Sequence, residues 1–266
     1  MGKNKKSFVK PTYRKSKNDT AKSSGNSLSA RETKTASVNT DSVVKEKIQW
    51  NGACAEFTVK VQSLSPIHLS SGQADVNVDA EVVHDRYGLP YFPAKRLKGL
   101  LYESAVEVKE MAELSGADFI DQNVIDEVFQ HVPSEVQLVA EDLHLEGYED
   151  LQRDLSYLQE QYPEYVRRDD VLQELTSIRY QTAINKDTGT ALDGSLRNIR
   201  VVDAGLVFSG KWEIRNAGKK HLQVLALAMQ NLSFAGGKRN RGFGQIQCAM
   251  AEQEMLVGQA ISKGAE

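Results

Sequence analysis

Residues 206–250 read LVFSGKWEIRNAGKKHLQVLALAMQNLSFAGGKRNRGFGQIQCAM, and the pattern changes three times within them. Leu206 to Ile214 follows the two-residue period of a half-buried strand. From Lys219 to Leu232, Leu222, Leu225, Met229 and Leu232 recur at three- and four-residue spacing, one face of a helix. Four glycines in nine positions follow, Gly236 to Gly244, and Gln245 to Met250 reads as a final strand.

Working outward, Ile178–Ile184 and Leu196–Val202 read as strands joined by a turn at Asn185-Lys186-Asp187-Thr188-Gly189. Far upstream, Ala53–Leu64 alternates Ala55, Phe57, Val59 and Val61 with Glu56, Thr58, Lys60 and Gln62. Val78–His84 is strand-like, and Asp85-Arg86-Tyr87-Gly88 turns it back into Leu89–Phe92. Pro93 then precedes a long helix carrying Leu97, Leu100, Leu101, Ala105, Val108, Met111 and Leu114. Between these halves the chain reads as mostly helical, with one stretch around Ile120–Phe129 and another over Leu151–Leu175 interrupted at Pro163. Without its loop inserts the order is strand, helix, strand, strand, helix, strand. The expected fold class is therefore α+β, with a ferredoxin-like (RNA-recognition-like) βαββαβ core. The expected organisation is a disordered basic arm over 1–43, the first half of the core over 44–114 and an acidic helical insertion over 115–176. A hairpin with the second half of the core over 177–251 and a flexible tail over 252–266 complete it.

The chain has 266 residues, 40% hydrophobic and 26% charged, an ordinary globular balance. No apolar run nears the length of a membrane span, and the first residues lack a secretory apolar segment, so no membrane partner is expected. Two cysteines, Cys54 and Cys248, exclude a disulfide scaffold or a Cys-rich zinc site, and a cytoplasmic location is expected. The net charge of -3 hides a partition. Residues 1–40 hold ten Lys/Arg against Asp19 and Glu32, a net of +8, whereas residues 103–174 hold twenty acids against four bases, a net of -16. A phosphate backbone would be repelled by the second block and attracted to the segments that flank it.

The Gly236–Gly244 loop carries Lys238, Arg239 and Arg241 within four positions. Glycines that let a backbone approach closely, beside clustered cations, suit a polyanion. Lys95, Arg96, Lys98 and Gly99 open the long helix, where cations are unfavourable unless an anion joins them. Asp75 and Asp79 lie in a loop, where a carboxylate can take a proton or hold a divalent cation. His68 and His84 are the candidate bases. No nucleophilic Ser or Cys constellation is present.

Three segments, taken in order, resemble one family. They are Leu64-Ser65-Pro66-Ile67-His68-Leu69-Ser70-Ser71-Gly72, then Asp85-Arg86-Tyr87-Gly88-Leu89-Pro90-Tyr91-Phe92-Pro93 with Leu97-Lys98-Gly99, and then the Gly236–Gly244 loop. Together they resemble the RAMP superfamily of CRISPR proteins, above all the repeated backbone subunit of type III effector complexes. Arg179 to Ala191 resembles that family's thumb hairpin. The resemblance implies a core that assembles along a guide crRNA, with the thumb inserted between flipped nucleotides of the guide–target duplex. It implies RNA binding by Lys95, Arg96, Lys98, Gly99, Gly236, Gly237, Lys238, Arg239, Arg241, Gly242 and Phe243, and thumb contacts from Arg179, Thr182, Ala183, Ile184 and Lys186. It implies target-RNA cleavage by Asp79, which lies six residues ahead of Asp85, with Mg²⁺ or another divalent cation held at Asp79. Asp75 matches less well. The implied partners are crRNA, target RNA, further RAMP subunits, a large polymerase-like subunit and a small helical subunit. The chain departs from the family at Ala94-Lys95-Arg96, where Gly-Ser-Ser is usual, and at Asn185-Lys186, where Asp-Arg is frequent. Two other roles fit the same superfamily: a non-catalytic scaffold or end-capping subunit, and a metal-independent guide-processing endoribonuclease acting through His68 or His84.

Overall fold

The computed structural model describes residues 41–263 except 76 and 77, so the basic arm lies outside the described residues up to position 40. A one-turn helix, α1 (Asp41–Val44), leads to β1 (Gln49–Asn51) and then to β2 (Cys54–Ser63), the spine of the main sheet. The alternation in β2 does what its period requires. Ala55, Phe57, Val59 and Val61 are buried, while Glu56, Thr58, Lys60 and Gln62 occupy the other face. One edge of β2 pairs along its length with β7 (Val207–Arg215), setting Phe57 opposite Trp212. The other edge takes β1 at one end and β8 (Ile246–Met250) at the other. The far edge of β7 takes β3 (Gln137–Ala140) and β4 (His144–Leu145), and all these pairings are antiparallel.

The buried side of the sheet meets two long helices. Leu97, Leu101 and Ala105 of α2 (Ala94–Ser115) and Leu222, Leu225 and Met229 of α6 (Lys219–Asn231) join β2 and β7 in one hydrophobic core. Fully burying one such leucine is worth about 1.5–3 kcal/mol. Gly116, in the left-handed region at φ 75°, ends α2 by turning its N–H back to Ala112 and Glu113. Helix α3 (Gln122–Phe129) follows, with the Asp121 side chain accepting the Asn123 N–H at 2.9 Å, and adds Ile125, Val128 and Phe129 to the core.

Three expectations change. The acidic stretch does form helices, α4 (Tyr148–Gln161) and α5 (Arg168–Leu175) on either side of Pro163, but it also supplies β3 and β4 to the sheet. Four residues with one buried leucine, Leu138, are too few to show a period. Val78–His84 and Leu89–Phe92 do not pair as a hairpin ladder. The turn at Asp85–Gly88 brings them together in a single bridge, His84 with Pro90, and their other bridges go elsewhere: Val78 meets Asp75, Val82 meets Ser70, Ala80 meets Ile199 and Phe92 meets Leu143. The expected flexible tail is instead a helix, α7 (Gln253–Lys263), whose Leu256 and Ala260 are buried in the core.

A second, two-stranded sheet stands apart from the first. Strands β5 (Thr176–Gln181) and β6 (Arg197–Val202) pair from Thr176↔Val202 to Gln181↔Arg197 and carry an exposed loop. Among the described residues no helix is long and apolar enough to cross a membrane.

Candidate nucleic-acid interface

RNA-recognition domains read bases with aromatic residues on the open sheet face. Here the open face of β2 and β7 carries Glu56, Thr58, Lys60, Gln62, Ser209, Lys211 and Glu213, mixed in charge and without a ring. The cations gather elsewhere, beside the loop end of the β5–β6 ladder, where Gln181 pairs with Arg197.

The chain from Pro66 to His68 runs between the end of β6 and the glycine-rich loop. Ile67 and Val202 exchange backbone hydrogen bonds of 2.9 and 2.8 Å, Gly237 N–H donates to His68 O at 3.1 Å, and Gly244 N–H donates to Pro66 O at 2.9 Å. This packing explains two of the glycines. At Gly244 (φ 79°) a Cβ would sit 2.0 Å from Ala235 O, and at Gly236 (φ 80°) it would sit 2.7 Å from His68 O. Their close approach is to the protein's own backbone. Gly242, also at φ 79°, faces open space. Between them Arg239–Arg241 form a single 3-10 turn that leaves Arg239 and Arg241 exposed, with Phe243 half-buried behind them.

Lys238 (φ 60°) reaches across to the hairpin, where its Nζ donates to Gln181 Oε1, and Arg241 Nη1 approaches the same oxygen at 3.5 Å. Burial, together with the nearby charges of Arg241 and Arg197, holds the Lys238 ammonium below the usual lysine range. Three cations thus crowd one site, and two of them share a neutral amide oxygen as acceptor. A polyanion would relieve that repulsion.

The first turns of α2 face the same loop. Lys95, Arg96, Gly99 and Gly236 line a groove of about 250 Å³ with Leu69, Phe92 and Leu100, and one carboxylate, Glu103, also borders it. The Arg96 guanidinium donates to Ser70 O. The helix start is not bare, since the Ala94 N–H is already taken by Asp142 Oδ1 at 2.7 Å. Lys98 points away from this groove. Its Nζ donates to Gln130 Oε1 at 2.5 Å at the end of α3, and burial depresses its pKa.

Asp79 is exposed and held in a reciprocal pair. Its N–H donates to Asn198 Oδ1 at 2.7 Å, and the Asn198 N–H donates to Asp79 Oδ2 at 2.8 Å. Asp75 closes a tight turn with Val78 through backbone hydrogen bonds. Behind them a polar cavity of about 190 Å³ is lined by Asp75, Glu81, His84, Arg168, Asp169 and Arg200. His68 is buried with Nδ1 2.8 Å from Arg200 O, and His84 Nδ1 lies 2.8 Å from Asp85 O. Among the described residues no group of three or more His, Cys, Asp or Glu is placed to hold a metal ion. One exposed carboxylate still suits Mg²⁺, which commonly takes one or two carboxylates and completes its shell with water and substrate phosphate.

At the hairpin, Arg179, Thr182, Ala183, Ile184 and Lys186 are all exposed. Thr182 Oγ1 lies 2.7 Å from Ser195 Oγ, which also accepts the Ala183 N–H at 3.1 Å, so the neck of the loop is cross-tied. Beside them stand three large apolar side chains that the sequence reading does not single out: Tyr180, Leu192 and Leu196. Also missed are Gln181, Asn198, Arg200 and Glu81, polar residues with no motif around them.

An antiparallel α+β sheet with a basic loop at its edge and a separate exposed hairpin defines the class by architecture. The family follows from the sequence: the model of the RAMP superfamily matches residues 60–247, from within β2 to within β8 and across the acidic stretch. The chain belongs to the RAMP superfamily. Its fold is similar to a chain in the cryo-EM structure of the Type III-B Cmr-beta bound to cognate target RNA. That match has a TM-score of 0.53 at 11% identity and covers 80% of this chain and 100% of that one. It is also similar to a chain of the Type III-B Cmr-beta apo state, with a TM-score of 0.51 at 13% identity over 73% and 96% of the two chains. At such identities the likeness is one of fold. No curated protein matches.

Proposed function

We propose that this chain is a subunit of a type III CRISPR effector complex that binds the crRNA backbone and cleaves the paired target RNA at Asp79. One observation carries the reading: the exposed carboxylate, the loop of the hairpin and the basic glycine-rich loop converge on the Arg197–Asn198 end of β6. Superfamily membership and a fold similar to a chain from an RNA-bound Type III-B complex support it. The sheet order β8–β2–β7–β3/β4, with α2 and α6 on its buried face, supports a ferredoxin-like core.

In this reading Lys238, Arg239 and Arg241, with Lys95 and Arg96 across the groove, neutralise guide phosphates. Phosphate contacts position a nucleic acid without reading it, and pairing between guide and target supplies the specificity. Gly99, Gly236, Gly237, Gly242 and Phe243 shape the path, and Lys98 braces α2 from behind. The hairpin residues Arg179, Thr182, Ala183, Ile184 and Lys186 form the thumb, with Ile184 as an apolar wedge between bases. Splaying the target strand there would align a 2′-hydroxyl with its own phosphate. Asp79, its Oδ2 fixed by the Asn198 N–H, would then accept that hydroxyl proton as the 2′-oxygen bonds to phosphorus. The bond from phosphorus to the 5′-oxygen of the next nucleotide breaks, and that oxygen leaves as a hydroxyl with a proton from water. A divalent cation held by Asp79 and an RNA phosphate would supply charge neutralisation at the reacting group. Further RAMP subunits, a large polymerase-like subunit and a small helical subunit are the proposed protein partners.

The test is cleavage of end-labelled target RNA by the assembled complex in Mg²⁺, wild type against Asp79→Ala. The expected result is regularly spaced cuts in the wild type and their loss, by about 10²-fold or more, in the variant, with RNA binding retained. Equal cutting by both would leave the chain a scaffold. Burial of His68 disfavours guide processing through that residue, which leaves the half-buried His84 as the histidine to test for that alternative.

A further inference from the structure

Residues 79–81 run alongside residues 198–200 and are tied to them at three successive places. The first is the reciprocal Asp79–Asn198 pair. The second is the Arg200 N–H donating to Ala80 O at 3.0 Å, within a parallel bridge between Ala80 and Ile199. The third is an ion pair, Arg200 Nε to Glu81 Oε1 at 2.8 Å and Oε2 at 3.0 Å, with side-chain exposures of only 7% and 9%.

Arg200 also reaches the other elements of the site. Its Nη1 donates to Thr176 Oγ1 at 3.2 Å, which ties in the first residue of β5. Its carbonyl oxygen lies 2.8 Å from His68 Nδ1, and the His68 carbonyl in turn receives the N–H of Gly237 in the basic loop. One residue therefore links the Asp79 loop, both strands of the hairpin and the glycine-rich loop.

A buried ion pair is a poor source of net stability, because desolvating two charges offsets their attraction; its best-attested use is to specify register. That use fits here. The strap is a single parallel bridge, too short for backbone pairing to fix its register alone. A slip by one residue would carry Glu81 away from the guanidinium and strand both charges in the interior.

We propose that Arg200, acting with Glu81 and Asn198, is a positioning residue that locks the Asp79 carboxylate in register with the hairpin, so that the cut falls at a fixed phosphate beside the nucleotide the hairpin displaces. The inference rests on Asp79 as the cutting group. Arg200 touches no RNA in this arrangement and acts through the residues it holds.

The experiment uses the assembled complex, end-labelled target RNA read at single-nucleotide resolution, and two variants. Asn198→Ala removes the side-chain oxygen that accepts the Asp79 backbone N–H, so it loosens the Asp79 backbone from β6 while keeping the backbone N–H that the carboxylate accepts and leaving the buried pair in place. The double variant Glu81→Leu with Arg200→Met removes both charges together and leaves neither stranded. Each is expected to bind crRNA and target as the wild type does, to cut about tenfold more slowly, and to spread its cuts over neighbouring phosphates. If the double variant does not assemble, Asn198→Ala decides the matter. Cuts confined to the wild-type phosphate at the wild-type rate would overturn the positioning role. The control Asp79→Ala keeps the two ideas apart. Full cutting by that variant overturns the assignment of Asp79, whereas loss of cutting there with sharp, fast cutting in Asn198→Ala overturns only the strap.

Discussion

The β2–β7 ladder and the β5–β6 ladder are both antiparallel and continuous in register, yet they do different work. Every second residue of β2 enters the core, opposite buried partners on β7 such as Trp212 and Ile214. The hairpin is buried at its base, through Thr176 on β5 and the last four residues of β6, Ile199, Arg200, Val201 and Val202. Beyond that it leaves Tyr180, Ile184, Leu192 and Leu196 at 67%, 56%, 45% and 67% exposure. Identical backbone pairing thus supports a sheet whose side chains stabilise the molecule and a hairpin whose side chains remain available to something else. Exposed apolar groups clustered on one hairpin mark a contact surface.

The largest test of this contrast is Leu225→Ala under the main sheet. It should cost about 2–5 kcal/mol in chemical denaturation, since the leucine is fully buried and truncating it leaves a cavity that its neighbours refill only in part. A cost below about 1 kcal/mol would mean the core is looser than its burial implies. Next comes a pair of glycines with the same φ. Gly244→Ala and Gly242→Ala share the strain of a left-handed residue, about 1–3 kcal/mol, but only Gly244→Ala also drives a Cβ into Ala235 O. The first should therefore unfold at clearly lower denaturant, and equal midpoints would remove the packing argument for that loop.

A smaller effect belongs to Lys238. Under the proposed function, Lys238→Ala should flatten the salt dependence of crRNA binding by about 0.7 in the log–log slope, one phosphate contact on a single strand. Because burial and two neighbouring cations lower its pKa, its share of binding should fade as pH rises, and sooner than for an ordinary lysine. The smallest effect is Leu192→Ala on the hairpin, which should leave stability within about 0.5 kcal/mol of wild type. A larger loss would show that the hairpin tip packs on the body after all.

The parts legible in the sequence are those whose period runs long enough to register. Ten alternating residues give β2, and Leu222, Leu225 and Met229 give α6. β3 was not legible, with one buried residue in four, and neither was α7, whose buried apolar residues are Leu256 and Ala260. The segment 78–92 has the composition of strands, but its backbone groups are shared among Leu69, Leu89, Leu143 and Arg200, so no ladder forms. At the candidate site the local clusters were visible: cations beside glycines, and a loop carboxylate. What joins them was not. Glu81 and Arg200 carry no motif, and only the folded chain makes a pair of them. Lys98 shows the converse, a cation in a suggestive position that the fold turns toward Gln130.

The 119 positions between Glu81 and Arg200 also have a consequence in time. At roughly 5–20 residues per second a ribosome needs on the order of ten seconds to travel from one to the other. Throughout that interval Glu81 is an ordinary solvated carboxylate and the Asp79 loop has nothing to register against. Contacts of such long range close late. The end of the molecule that gathers loop, hairpin and glycines is therefore among the last to take shape, and a nascent chain halted before β6 would emerge with the loop present and its alignment missing.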